Sequence, residues 1–141
     1  MLTKNLDRLK PLMQDQGHWG GIHAVYNIYN ATRLVELTQF ARDRRLAVHW
    51  QSLYQPECLD PSRLGTRTVE LAKQEIGKLL DSQLCLDNER QFFETVLSNL
   101  SGAENLHKEF ATHIADMEQI YHTDQQGQFK KLWPELSYLM D

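Results

Sequence analysis

Gly20 to Pro56, written GGIHAVYNIYN (20–30), ATRLVELTQFARDRRL (31–46) and AVHWQSLYQP (47–56), reads as strand, helix, strand. Gly20-Gly21 launches the run Ile22 to Tyr29, whose β-branched and aromatic members favour a pleated backbone. Asn30 offers a side-chain oxygen to the free N–H groups of the helix that follows. There Leu34, Val35, Leu37 and Phe40, with Ala41, form a broad apolar face. Ala47 to Tyr54 reads as a second strand, ended by Pro56 because proline has no amide to donate. Two strands joined by such a helix are parallel and right-handed as a rule. The unit is therefore expected to need a larger parallel sheet, yet the sequence holds no third convincing strand.

Within the first strand Ile22, Ala24, Tyr26 and Ile28 share one face and His23, Val25, Asn27 and Tyr29 the other. In the second, His49 and Gln51 lie opposite Val48, Trp50, Ser52 and Tyr54. In a parallel sheet covered on both sides, His23 and Asn27 require either a buried hydrogen-bonded network or a ligand cavity. If His23, Asn27, His49 and Gln51 converge, they make a polar lining toward the C-terminal strand ends, where α/β folds bind ligands.

The chain has 141 residues, 41% of them hydrophobic, enough for one domain with a core of its own. Its 15 Lys and Arg are interspersed with 19 Asp and Glu for a net charge of −4, which argues against a nucleic-acid partner. No apolar run has the length of a membrane span, and MLTKNLDRLK lacks the apolar segment of a secretion signal. A cytoplasmic location is the expectation. Cys58 and Cys85 form neither a disulfide framework nor a metal knuckle and read as ordinary free thiols.

Before the strand–helix–strand unit, Thr3 caps a helix with Leu2, Leu6, Leu9, Leu12 and Met13 on one face, kinked or restarted at Pro11. After Pro56 the chain turns helical. Asp60-Pro61 sets a cap and a first-turn proline for a short turn, and Leu64-Gly65-Thr66 leads into a helix to about Asp81. A second helix begins near Asp87 and buries Phe92, Phe93, Val96, Leu97 and Leu100. Ser101 and Glu104 are spaced as a capping box for a third, bearing Leu106, Phe110, Ile114, Met117 and Tyr121. Thr123 to Gly127 is a polar break, and Pro134 closes the last turn before ELSYLMD. The expected architecture is one domain, α/β passing to mostly α: residues 1–56 a partial (βα) barrel unit, 57–141 a helical extension.

Motifs that carry chemistry are absent. There is no phosphate loop, no GxSxG elbow and no HExxH. His107 and His113 are six apart, not the three or four that bring two ligands to one helix face, and His113, Asp116 and His122 read as solvated surface.

Residues 22–43, IHAVYNIYNATRLVELTQFARD, with WQSLYQPECLDPSRL at 50–64, resemble the later barrel strands of radical SAM proteins of the twitch-domain type. The tail FATHIADMEQIYHTDQQGQFKKLWPELSYLMD is similar to the endings of such proteins, through Phe110, Met117, Phe129 and Pro134-Glu135-Leu136. The resemblance implies that a complete protein holds S-adenosylmethionine (SAM) and a [4Fe-4S] cluster, with a peptide or protein as substrate. It implies Asn27 as the position reaching toward SAM, with His23, His49 and Gln51 on the substrate side. The family's C-x-x-x-C-x-x-C ligand set has no counterpart in a chain with two distant cysteines, so no cofactor is expected on this chain alone.

Three functions follow as expectations. The first is a C-terminal fragment or split subunit of a radical SAM protein, not catalytic alone, completed by a missing N-terminal barrel half or by self-association. The second is a free-standing helix-rich interaction or regulatory module without cofactor. The third, the weakest, is a small metal-dependent enzyme using the histidines.

Overall fold

A computed structural model describes residues 4, 5, 7, 8, 11 and 20–141. The apolar positions of the expected first helix, Leu2, Leu6, Leu9, Leu12 and Met13, lie outside the described residues. Lys4, Asn5, Asp7, Arg8 and Pro11 are helical and exposed.

Strand β1 (Gly20–Tyr26) and strand β2 (Leu46–Ser52) pair in parallel, with Gly20 opposite Leu46 and Tyr26 opposite Ser52, and helix α1 (Leu34–Asp43) connects them. The parallel unit is thus as the sequence reading expects, and among the described residues the sheet has these two strands alone. Among the described residues a larger barrel-like sheet is not seen.

Both strands stop short of their expected ends. Asn27 and Asn30 terminate β1: the Asn27 N–H donates to the Asn30 Oδ1 (3.0 Å), the Tyr29 N–H to the Asn27 Oδ1 (3.0 Å), and the Asn30 Nδ2 to the Val25 carbonyl (2.8 Å). These local bonds offer the backbone a turn in place of a strand ladder. Asn30 consequently does not cap α1. Instead the Glu75 carboxylate, from α2 (Gly65–Asp81), accepts from the Val35 N–H at 3.1 Å and satisfies a free amide in the first turn of α1.

Helix α3 (Asp87–Asn99) completes the first layer. The inner sheet face packs with α1, α2 and α3 around Tyr26, Leu34, Val69, Ile76, Leu79 and Phe93. Phe93 sits edge-on to Tyr26, Trp50 and Phe92, with ring centroids 6.1, 5.0 and 5.1 Å away. One buried ion pair ties α1 to α3. The Arg42 guanidinium donates to both oxygens of Glu89, and to the Leu84 and Leu46 carbonyls at 2.9 Å each.

A second core joins Ile28 and Leu64 to Phe110 and Ile114 of α4 (His107–Tyr121), Phe129 of α5 (Gln125–Leu132) and Leu136 and Leu139 of a final 3-10 segment, Pro134–Met140. The expected capping box fails here. Residues 101–106 are pinned as a loop, through Gly65 N–H to Glu104 carbonyl (3.0 Å) and Leu106 N–H to Arg63 carbonyl (2.8 Å), while the Glu104 carboxylate pairs with Arg63. The Thr123–Gly127 break also ends earlier than expected, because the Asp124 side chain caps α5 by accepting the Gly127 N–H at 2.8 Å. No described helix is long and apolar enough to cross a membrane.

Candidate functional site

The sequence reading expects both sheet faces to be covered, but the face carrying His23, Val25, His49 and Gln51 is open to solvent. Burial alternates along β1, with His23 and Val25 exposed and Ala24 and Tyr26 buried, as in a sheet covered on one side. His23 and His49 stand in register on neighbouring strands and their rings stack, centroids 5.2 Å apart. His49 also lies over Gly21, where a Cβ would come within 3.0 Å of the imidazole. Asn27 has left the sheet for the turn described above. Of the four predicted residues, His23, His49 and Gln51 are brought together on the open face and Asn27 is not. His49 also borders a small cleft of about 140 Å³ with Trp50, Asn88 and Glu89.

The ends of the strands hold a different site. Tyr26, the last residue of β1, and Ser52, the last of β2, border a cavity of about 190 Å³ with Leu53, Asp60, Ser62, Val96, Asn99 and Leu100. Three separate segments build it: the paired strand ends, the 3-10 turn Pro61–Arg63 with its cap Asp60, and the last turn of α3. Its position outside the carboxyl ends of parallel strands is the one at which α/β proteins bind ligands. Tyr26 and Leu100 are buried beneath it, and exposed Ser52 and Asn99 frame its mouth.

The polar groups divide into satisfied and unsatisfied. Asp60 is held by Ser62, whose N–H (2.9 Å) and hydroxyl (2.8 Å) both donate to Oδ1. Tyr26 is 5% exposed, and among the described residues its hydroxyl has no hydrogen-bond partner. Burial first, and then the negative charge of Asp60, push the Tyr26 phenol well above its ordinary range, so it stays protonated throughout the neutral region. A neutral phenol can both donate and accept. An unsatisfied buried hydroxyl costs about 1–3 kcal/mol.

Tyr26 is the residue that sequence reasoning missed, because strand alternation counted it simply as part of the apolar face. The available signal was its place at the strand's carboxyl end. Burial raises the thiols of Cys58 and Cys85, the former beside Glu109 and the latter beside Glu89, the opposite of an activated nucleophile. Among the described residues no group of three or more His, Cys, Asp or Glu is placed to hold a metal ion. No family model, curated protein or solved structure matches the chain.

Proposed function

We propose that this chain is a non-catalytic binding module that takes a small polar molecule in the cavity at the carboxyl ends of β1 and β2. The observation that carries this reading is the cavity itself, built outside the carboxyl ends of the two parallel strands and bordered by Ser52, Asp60, Ser62 and Asn99. The volume, about 190 Å³, leaves room for a small molecule. Ser52 and Ser62 have no histidine beside them in the lining, so their hydroxyls serve as hydrogen-bonding groups.

The test is a ¹H–¹⁵N spectrum of the protein recorded against mixtures of small polar compounds. Saturable shifts at the amides of Tyr26, Ser52, Asp60 and Leu100 that Asp60→Asn weakens are expected. Shifts confined to other regions, or none from any mixture, would end the reading.

A second reading, a split subunit of a radical SAM protein, is supported by the parallel β1–α1–β2 unit and by the open face of His23, Val25, His49 and Gln51, which a partner or a second copy would cover. Sedimentation velocity tests the form in which a second copy covers that face: self-association that Val25→Lys abolishes is expected, and a monomer at every concentration would remove that form.

A further inference from the structure

The open face of the sheet is made of six residues in register, Gly21, His23 and Val25 of β1 opposite Ala47, His49 and Gln51 of β2. His23 and His49 stand at its centre, and both are exposed. Their contact with each other is a ring contact; among the described residues neither imidazole is engaged in a hydrogen bond or an ion pair. A neutral imidazole keeps one nitrogen lone pair for a ligand. No Lys or Arg stands among the six residues, so this face carries no fixed positive charge to repel a cation.

The spacing of the rings suits a shared ion. An imidazole nitrogen ligates zinc at about 2.0–2.1 Å, which puts the ring centre about 3 Å from the ion, and two rings on one tetrahedral ion then have centres about 5 Å apart. The centroids of His23 and His49 are 5.2 Å apart. Their planes lie at 28°, so ligation requires each ring to turn a nitrogen toward the common point. Exposed rings do this about their own torsions, between staggered wells, without displacing a packed neighbour. Gly21 leaves His49 the room: a Cβ at that position would stand 3.0 Å from its Cδ2 and 3.1 Å from its Nε2.

The ligand type selects the metal. Mg²⁺ and Ca²⁺ take oxygen ligands, chiefly carboxylates, and the six residues include none. Glu89, which borders the cleft beside His49, is already occupied by Arg42 and the Leu86 N–H. Imidazole suits the divalent ions of zinc, copper and nickel. We infer that His23 and His49 form a two-imidazole chelate for a divalent first-row transition-metal ion, with water in the remaining positions. The inference goes beyond the binding reading above and does not depend on the cavity at the strand ends. Two protein ligands are fewer than the three of a catalytic zinc site or the four of a structural one, so this ion exchanges with solvent and is not part of the fold.

The probe is Zn(II) chloride, titrated into the full chain and followed by calorimetry and amide shifts, with Mg(II) chloride at equal ionic strength as the comparison. Saturable uptake of one Zn(II) per chain, with shifts centred on the amides of residues 21–25 and 47–51, is expected, and no response there to Mg(II). Because the second imidazole binds an ion already held beside it, His23→Ala and His49→Ala should each weaken Zn(II) by at least about tenfold. His113→Ala, on α4, should leave the affinity unchanged. Cu(II) locates the ion without any variant: its paramagnetism should broaden the amides of 21–25 and 47–51 before all others, which keeps the inference open to refutation if a variant does not fold. Uptake centred elsewhere, a loss of affinity at one of the two histidines but not the other, or no saturable uptake of Zn(II) would overturn the chelate.

Discussion

Glu89→Gln keeps the size of the side chain and removes its charge from the interior. Glu89 is 1% exposed, and its two oxygens receive the Arg42 guanidinium and, at 3.0 Å, the Leu86 N–H. Arg42 also fastens the Leu84 and Leu46 carbonyls, so a single guanidinium joins the end of α1, the start of β2 and the loop before α3. Removing one partner of a buried pair costs about 3–5 kcal/mol because the other charge is left uncompensated. The Arg42 side chain is 19% exposed and keeps both carbonyls, which places the loss near the lower end, about 3 kcal/mol. For a chain of this length, roughly 3–4 °C is lost per kcal/mol, so the melting temperature should fall by about 10 °C. Urea unfolding followed by far-UV circular dichroism measures the loss, and Arg42→Met combined with Glu89→Gln completes a cycle. The double variant should recover about 1–2 kcal/mol relative to the sum of the singles. A loss from Glu89→Gln below about 1 kcal/mol, the range of surface pairs, or strict additivity would refute the buried network.

Phe93→Ala should cost about 3–5 kcal/mol by chemical denaturation, since its fully buried ring meets three aromatic neighbours, while Leu97→Ala on the half-buried side of the same helix should cost less. Gly102→Ala should destabilise by roughly 1–3 kcal/mol, because φ is +66° and the new Cβ would lie 3.2 Å from the Thr66 Cα; a melting curve unchanged from the parent would contradict the pinned loop. Thiol labelling with a disulfide reagent at neutral pH should be slow at Cys58 and Cys85, because a raised pKa leaves less thiolate; the rate should climb with pH and become fast in urea. Asn27→Ala removes the acceptor for the Tyr29 N–H and should cost about 1 kcal/mol, measured by thermal melting, without the larger loss of an emptied core.

The elements legible in the sequence are those set by local pattern. The parallel β1–α1–β2 unit followed from a helix too long for a hairpin, and the helices beginning at Gly65 and Asp87 followed from a turn residue and a dense apolar face. What was not legible depends on side chains that reach across the chain. The Asn30 side chain accepts the Asn27 N–H and the Asn27 side chain the Tyr29 N–H, which ends β1, and Glu75 caps a helix 40 residues away in sequence. Glu104, spaced to close a capping box, is drawn to Arg63 instead. The alternation in both strands was correctly divided between two faces, yet it was placed in a covered sheet when alternation itself favours an open side. For the candidate site, Asp60 was seen as a cap, which it is, and Tyr26 as an apolar neighbour. Their proximity arises only when β1, β2 and the end of α3 meet.

The treatment of the other aromatic polar tips makes Tyr26 informative. The Trp133 Nε1 donates to the Tyr29 carbonyl at 2.9 Å, and the Tyr138 hydroxyl meets the Thr68 hydroxyl at 2.7 Å. In the second core, then, these aromatics that pack also find partners. Around α3 they do not: Tyr26 borders the cavity at the helix's C-terminal end and Trp50 the smaller cleft near its N-terminal end, both unpartnered. Packing alone would be served as well by a phenylalanine in place of Tyr26, since the ring already meets Phe93 edge-on and the hydroxyl adds only a desolvation cost. The ion pair of Arg42 with Glu89 fixes the N-terminal end of α3, and its C-terminal end rests against the cavity.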